Sequence, residues 1–278
     1  YGPGMMYTEM ANKIEAMGGK VKLNSRVTKV NHDNFYVRSI EYIDEKGNVQ
    51  VEEGTDFISS MPITELLKAL NPKPPEDVMR AAENLGYRSI ITVDIIIDKK
   101  DVFPDNWIYI HSPEVKLGRI QNFKNWSSSM VPDQSKTSLG LEYFCTEGDE
   151  LWNMPDEELF KLASSEIEKI KICKSSDIID YVIIKVPKAY PVYMTGYRKY
   201  MDIIEEYAKK FSNLQFVGRY GMFKYNNMDH SIMTGIYAAK NIIQNNYSFD
   251  TWSINTEPEY HEEKQERRVE KLKPVRQH

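Results

Sequence analysis

Leu214-Gln215-Phe216-Val217-Gly218-Arg219-Tyr220-Gly221-Met222-Phe223-Lys224-Tyr225-Asn226-Asn227-Met228-Asp229-His230-Ser231-Ile232-Met233-Thr234-Gly235 is the stretch on which the fold turns. A short apolar run, 214–217, reads as a buried strand and ends at a glycine. A polar loop follows. A helix is predicted over 229–244, with Asp229 or an adjacent Asn as its N-cap, because short polar side chains accept from the free N–H groups of a first turn. Ile232, Met233, Ile236, Ala239 and Ile243 recur at helical spacing and are expected to face inward. Gly235, Ala238 and Ala239 keep the first turns thin, so a flat group or another backbone can approach.

A helix start gathers unpaired N–H groups and partial positive charge. That suits a phosphate. It equally suits the electron-rich edge of a reduced flavin ring, and a strand–loop–helix that only packs carries the same local signature.

Upstream, Met6, Met10, Ile14 and Met17 predict a helix over 5–17, stopped by Gly18-Gly19. Alternating apolar residues in 20–27 predict a strand. Further strands are expected at 37–43 and 49–51 around the turn Asp44-Glu45-Lys46-Gly47-Asn48, and a short one at 57–60. Asn71-Pro72-Lys73-Pro74-Pro75 reads as a linker. Beyond it come strands at 89–97, 107–111, 118–123 and 137–145, a helix at 156–170 opened by Pro155, a strand at 181–186 and a helix near 199–210. The last stretch, 248–278, becomes a highly charged tail.

The bulk numbers fit these elements. The 278 residues suffice for one large or two modest domains, and 41% hydrophobic with 28% charged residues is an ordinary globular balance. A net charge of -5 and a pI near 5.7 argue against a nucleic-acid partner. Runs such as Ile95-Ile96-Ile97 fall far short of the roughly 18 apolar residues of a membrane span. Cys145 and Cys173, far apart and without metal-ligand spacing, read as buried thiols of a reducing compartment, so a cytoplasmic location is expected. The histidines do not group, so no metal site is expected. The chain opens at Tyr1 in what reads as an internal loop, so it is expected to be a fragment.

The run Gly218-Arg219-x-Gly221-x-Phe223-x-Tyr225-Asn226-Asn227-Met228-Asp229-His230-Ser231-Ile232-x-x-Gly235 resembles the C-terminal flavin motif of the FAD-dependent amine oxidoreductases. Within them it is most similar to the branch that contains the UDP-galactopyranose mutases. Gly18-Gly19-x-Val21-x-Leu23-x-Ser25-x-Val27, Ile58-Ser59-Ser60-Met61-Pro62 and Pro187-Lys188-Ala189-Tyr190-Pro191-Val192-Tyr193 resemble further family segments.

The resemblance implies FAD as cofactor. Carried over by position, Gly218 and Arg219 lie by the pyrophosphate or substrate, and Met228, Asp229, His230 and Ser231 line the flavin's pyrimidine end. Val27 contacts the adenine through its backbone, and Tyr225, Tyr190 and Tyr193 contact substrate, with both of the latter expected on one strand face. The structural alternatives stay open: Tyr225 as a packed loop aromatic, His230 as a second capping residue, and Tyr190 and Tyr193 as core. Trp107, Trp126 and Trp152 read as core or domain-interface residues rather than an aromatic cage.

The implied fold class is mixed α/β: the C-terminal part of a Rossmann-like FAD-binding domain (1–62 and 211–247) and a mixed-sheet substrate domain with helices (63–210). The family's Gly-x-Gly-x-x-Gly fingerprint and its ribose-binding acidic residue are absent. The missing N-terminal half of the FAD domain is therefore an expected partner, beside a small-molecule substrate such as a nucleotide sugar. The expected activity is hydride transfer to flavin N5. Alternatives are a mutase-like isomerisation of a sugar nucleotide, and a non-catalytic subunit or remnant that completes an FAD site in a complex.

Overall fold

The computed structural model describes residues 1–246 and 248–255. The charged tail read from the sequence lies mostly at 256–278, outside the described residues. The chain divides into two compact units. One comprises 1–26, 44–48 and 86–193, the other 27–43, 49–85 and 194–278. Residues 63–85 thus group with the second unit, whereas the sequence reading began a new domain at 63.

The first unit opens with α1 (Gly4–Ala16), which buries none of its residues. Of the strand expected over 20–27 only residues 26–27 form, as the start of the next strand. Val21 and Leu23 are exposed, and regular pairing starts only at β1 (Arg26–Asp33) of the second unit. In that unit β2 (Tyr36–Ile43) and β3 (Val49–Glu53) form the expected hairpin, with Ser39 opposite Glu53. After β4 (Phe57–Ser59) come α2 (Ile63–Ala69), β5 (Leu70–Asn71) and α3 (Glu76–Glu83). The proline stretch 71–75 is thus the end of β5 and the entry to α3, not an open linker. The sheet order is β3-β2-β1-β5, with β1 and β5 parallel.

The rest of the first unit is a five-stranded antiparallel sheet. Its strands are β6 (Gly86–Ile97), β7 (Trp107–Tyr109), β8 (Arg119–Asn122), β9 (Thr137–Cys145) and β10 (Ile178–Val192), in the order β10-β6-β9-β8-β7. Alternation sends Ile91, Val93, Ile95, Ile97, Leu139, Leu141 and Tyr143 to one face. There α4 (Asp156–Lys169) lays down Leu159, Ala163 and Ile167. Each fully buried Val, Leu or Ile side chain there stabilises by about 1.5–3 kcal/mol. Cys145 and Cys173 are buried in the same core, and burial pushes both thiols up to about 11.

β10 runs well beyond the expected 181–186. Pro187 falls where the register slips between Val186 and Tyr190, and β10 is an edge strand, the two settings in which a sheet tolerates proline. Beyond the slip the ladder closes with Gly86 opposite Val192.

The second unit resumes with α5 (Tyr197–Ala208), which packs on α3. Then β11 (Leu214–Phe216) pairs in parallel with β4, Leu214 opposite Phe57 and Phe216 opposite Ser59. Asn213, just before β11, is buried and stitches this layer. Its Nδ2 donates to the Val37 carbonyl at 2.9 Å and to the Thr55 carbonyl at 2.8 Å, and its Oδ1 accepts from Val37 N–H at 2.8 Å. The last helix is α6 (Met228–Gln244).

Candidate functional site

Sequence reasoning centred the site on the link from β11 to α6, and the structure makes that link a cinched loop. Gly218 N–H donates to the buried Thr234 hydroxyl at 2.9 Å, and buried Asn226 Nδ2 donates to the Gly218 carbonyl at 3.3 Å. Arg219 lies across the loop: its Nε donates to the Asn226 carbonyl at 2.8 Å, and a terminal nitrogen reaches Asn227 Oδ1 at 3.3 Å. The Tyr225 ring is half-exposed with the Arg219 guanidinium 6.0 Å away, while Asn255 Nδ2 donates to the Tyr225 carbonyl at 3.1 Å. Gly221 is fixed by contact, because a Cβ there would meet the Ser59 carbonyl at 2.8 Å. The turn 218–221 therefore lies directly on the end of β4.

The N-cap of α6 is Asn227. His230 Nδ1 accepts from Asn227 N–H at 3.3 Å, which is the capping role held open for this side chain. Met228 and Asp229 are exposed in the first turn, where Asp229 Oδ1 lies 3.4 Å from His230 Nδ1. The inward face of α6 is not the expected one. Thr234, Ala238 and Asn241 are buried, whereas Met233, Ile236 and Ile243 are exposed. The polar pair goes inward because both side chains find partners: Thr234 at Gly218, and Asn241 at the Phe249 carbonyl (2.9 Å) and N–H (3.0 Å). Space around Gly235 is open, with nothing within 4 Å of a Cβ. Ser231 is part-buried in the second half of that turn, and Val27 is part-buried on β1.

A cavity of about 450 Å³ in the same unit is lined by residues including Phe211, Phe216, Asn241 and Trp252. No site residue expected from the sequence is among its walls.

Tyr190 and Tyr193, in the first unit, do not share a strand face. Tyr193 lies past the end of β10 and is half-exposed. A spacing of three residues would in any case turn the two side chains to opposite faces. Tyr190 instead reaches a network that the sequence reading did not identify. On the face of the five-stranded sheet opposite α4, the register lines up Tyr109, Arg119, Glu142 and Thr92 in one row, and Trp107, Gln121, Gly140 and Asp94 in the next. Arg119 Nε donates to Glu142 Oε2 at 2.7 Å, and its terminal nitrogens reach the hydroxyls of Tyr190 (3.3 Å) and Tyr109 (3.4 Å). Burial opposes the Arg119 charge, but bonds with Tyr109, Glu142 and Tyr190 outweigh it and hold the guanidinium above its ordinary value. Gln121 Nε2 donates to Glu142 Oε1 at 2.9 Å and Trp126 Nε1 to Gln121 Oε1 at 3.0 Å. Trp107 and Trp126 are half-exposed here, so a core role does not hold for them, while Trp152 packs at the core. The available signal was a charged residue, Glu142, within the apolar run of β9.

Asp94 completes the second row. Its Oδ1 is buried without a hydrogen-bond partner, and a Cβ on Gly140 would come within 3.0 Å of it and 2.7 Å of the Phe123 ring. Burial, and then the charge on Glu142, push the Asp94 carboxyl up to about 6. The folded state thus holds this proton more tightly than the unfolded chain does. Stability from this group is present below about pH 4 and is lost as pH rises towards 6. Asp94→Asn is expected to match the parent near pH 4. Above pH 7 it should be more stable by about 1–2 kcal/mol, after allowance for partial exposure. Urea unfolding of both proteins at the two pH values checks this, and a gain of equal size at both would refute the assignment.

Among the described residues no cluster of His, Cys, Asp and Glu is placed to hold a metal ion, and no helix is long and apolar enough to cross a membrane.

Residues 2–243 match the family described as flavin containing amine oxidoreductase. Among solved structures, a reduced UDP-galactopyranose mutase aligns with TM-score 0.74 at 19% identity, over 91% of this chain and 54% of the other. A protein from Exiguobacterium sp. 255-15, assigned as a protoporphyrinogen oxidase, aligns with TM-score 0.59 at 14% identity, over 84% and 51%. A putrescine oxidase variant aligns with TM-score 0.59 at 13% identity, over 83% and 51%. The chain therefore spans about half the length of these structures. No curated protein matches it.

Proposed function

The chain belongs to the flavin-containing amine oxidoreductases, and from that premise we propose that it carries the flavin-edge half of an FAD-dependent oxidoreductase. The observation that carries the reading is the start of α6. Its first N–H groups, together with the open space at Gly235, fit the anionic edge of a reduced flavin ring. Gly218, Arg219 and Met228 to Ser231 would hold that edge and the adjoining chain, and Val27 would meet the adenine. FAD supplies the hydride chemistry when bound. The residues here orient and enclose: the cinched 218–227 loop fixes the helix start, and Tyr225 and Tyr190 are candidates for contact with substrate. Exposed apolar residues on α6 support a missing dinucleotide-binding half as partner, supplied by a longer chain or in trans.

The test uses FAD binding. The 278-residue chain alone is expected to lose FAD on gel filtration, and addition of a dinucleotide-binding half is expected to retain it. In that assembly Gly235→Val should weaken FAD at least tenfold, about 1.4 kcal/mol, without lowering Tm, because a Cβ at this position meets nothing within 4 Å in the free chain. Unchanged FAD affinity in the variant would remove the assignment.

A second reading is a flavin-dependent isomerisation of a sugar nucleotide. The greater fold likeness to the reduced mutase supports it. Incubation of the reduced assembly with UDP-galactofuranose decides it, and absence of conversion eliminates it. A non-catalytic subunit that completes an FAD site would bind FAD in the assembly and turn over neither class of substrate.

A further inference from the structure

β11 pairs on one side only, with β4. The register turns the N–H and C=O of Gln215 into that shared ladder. Its ends close with Phe57 N–H on the Asn213 carbonyl at 2.8 Å and Val217 N–H on the Ser59 carbonyl at 3.0 Å. Backbone groups alternate along a strand, so those of Leu214 and Phe216 point to the other edge. Among the described residues nothing bonds to them there. Both residues are nevertheless only 4% exposed. Buried backbone donors and acceptors are rarely left open, and these mark a place for a partner.

The cavity of about 450 Å³ runs along this edge: Leu214, Gln215 and Phe216 line it in succession, and no residue of β4 does. Its volume is that of a small-molecule site, on the order of 300–1,000 Å³. Phe211, Phe249 and Trp252 stand around it, and Trp252 meets Phe216 with ring centroids 6.1 Å apart.

The polar groups select among occupants. Lys209 is paired with Glu205 at 2.8 Å, Asp250 Oδ1 accepts from Trp252 N–H at 2.9 Å, and Lys210 is exposed. An ion therefore finds no buried counter-charge. A peptide strand finds too short a ladder, since β11 spans only Leu214–Phe216. What the edge does present is the Leu214 carbonyl beside the Phe216 N–H, an acceptor next to a donor. A flat ring whose rim carries a donor next to an acceptor answers both, and its faces then lie against aromatic walls.

We propose that the open edge of β11 binds a purine-type heterocycle. Its amino group donates to the Leu214 carbonyl, and the neighbouring ring nitrogen accepts from Phe216 N–H. The place is distinct from the flavin edge: Asn241, on the cavity wall, lies roughly three and a half turns along α6 from Met228. Occupancy there does not depend on the flavin assignment.

The probe is 9-methyladenine, which keeps the amino donor beside a ring nitrogen. The full chain, labelled with nitrogen-15 and 5-fluorotryptophan, is titrated with it and followed by NMR. The Phe216 amide is expected to shift saturably and to exchange with solvent at least tenfold more slowly. The Gln215 amide, already in the ladder, should keep its exchange rate. Of the four tryptophans only Trp252 should respond. The N,N-dimethylated form of the probe has the same ring without the donor and should bind at least tenfold more weakly. No saturable shift overturns the proposal. So does equal affinity for the dimethylated form, which would mean stacking alone, or a response at Trp107 or Trp126 in place of Trp252. FAD retention by the assembly is a separate measurement, so a chain that ignores the purine leaves the flavin assignment standing.

Discussion

Glu142→Ala is expected to lower the unfolding free energy by about 3–5 kcal/mol, because it strands the Arg119 guanidinium in a desolvated setting. The side chains of Arg119 and Glu142 are only 12% and 7% exposed, and Glu142 also accepts from Gln121. Loss of the carboxylate thus leaves a buried cation and an amide without their main partner. The pair as a whole is a different matter: an apolar pair of similar volume, Arg119→Met with Glu142→Leu, should recover most of the loss. A double-mutant cycle by urea denaturation measures the coupling. A cost under about 1 kcal/mol for Glu142→Ala would place the pair in the class of weak surface bridges and contradict its burial.

Glu166→Leu is expected to be comparably damaging, at about 3–5 kcal/mol, for a purely structural reason. Glu166 projects from α4 into the core and is 6% exposed. Its carboxylate accepts from Lys116 N–H at 2.7 Å, Leu117 N–H at 3.0 Å and the Tyr143 hydroxyl at 3.1 Å. Burial, and then the charge of Glu166, hold the Tyr143 hydroxyl well above its ordinary value. Leucine leaves all three donors unsatisfied, whereas the single carbonyl of Glu166→Gln retains at most two. Hydrogen exchange separates this from a simple packing defect: the Lys116 and Leu117 amides should lose protection selectively. Retained protection there would show that other acceptors replace the carboxylate.

These two carboxylates also mark the limit of what the sequence disclosed. The strand–loop–helix at 214–244 was readable because glycines, an Asn-rich loop and helical spacing all act within one local segment. The hairpin around Asp44–Asn48 and the apolar alternation of β6 and β9 were readable for the same reason. Arg119 and Glu142 were not, since a charged residue in a strand looks solvated until register places its partner, and Tyr190 is 71 positions from Arg119. The inward face of α6 was misread because hydropathy ranks Ile236 above Thr234, while the free energy of a satisfied buried hydroxyl depends on Gly218, which spacing alone does not reveal. The strand expected at 20–27 shows the converse: alternation states that one face seeks cover, yet Val21 and Leu23 remain 36% and 76% exposed.

The ladder that ends with Gly86 opposite Val192 bears on how the chain reaches this state at all. The second unit is discontinuous, and Asn213 must find Val37 across 176 positions. Sought through a random coil, such a closure is slow, since distant contacts are rewarded only after the intervening chain has been ordered. Once β6 and β10 have zipped, the entry and exit of the intervening stretch are neighbouring strand residues about 5 Å apart. Topologically the long excursion then behaves as a tight turn. The order of events expected from this has the antiparallel sheet forming first and the long-range pairings of the second unit closing after it.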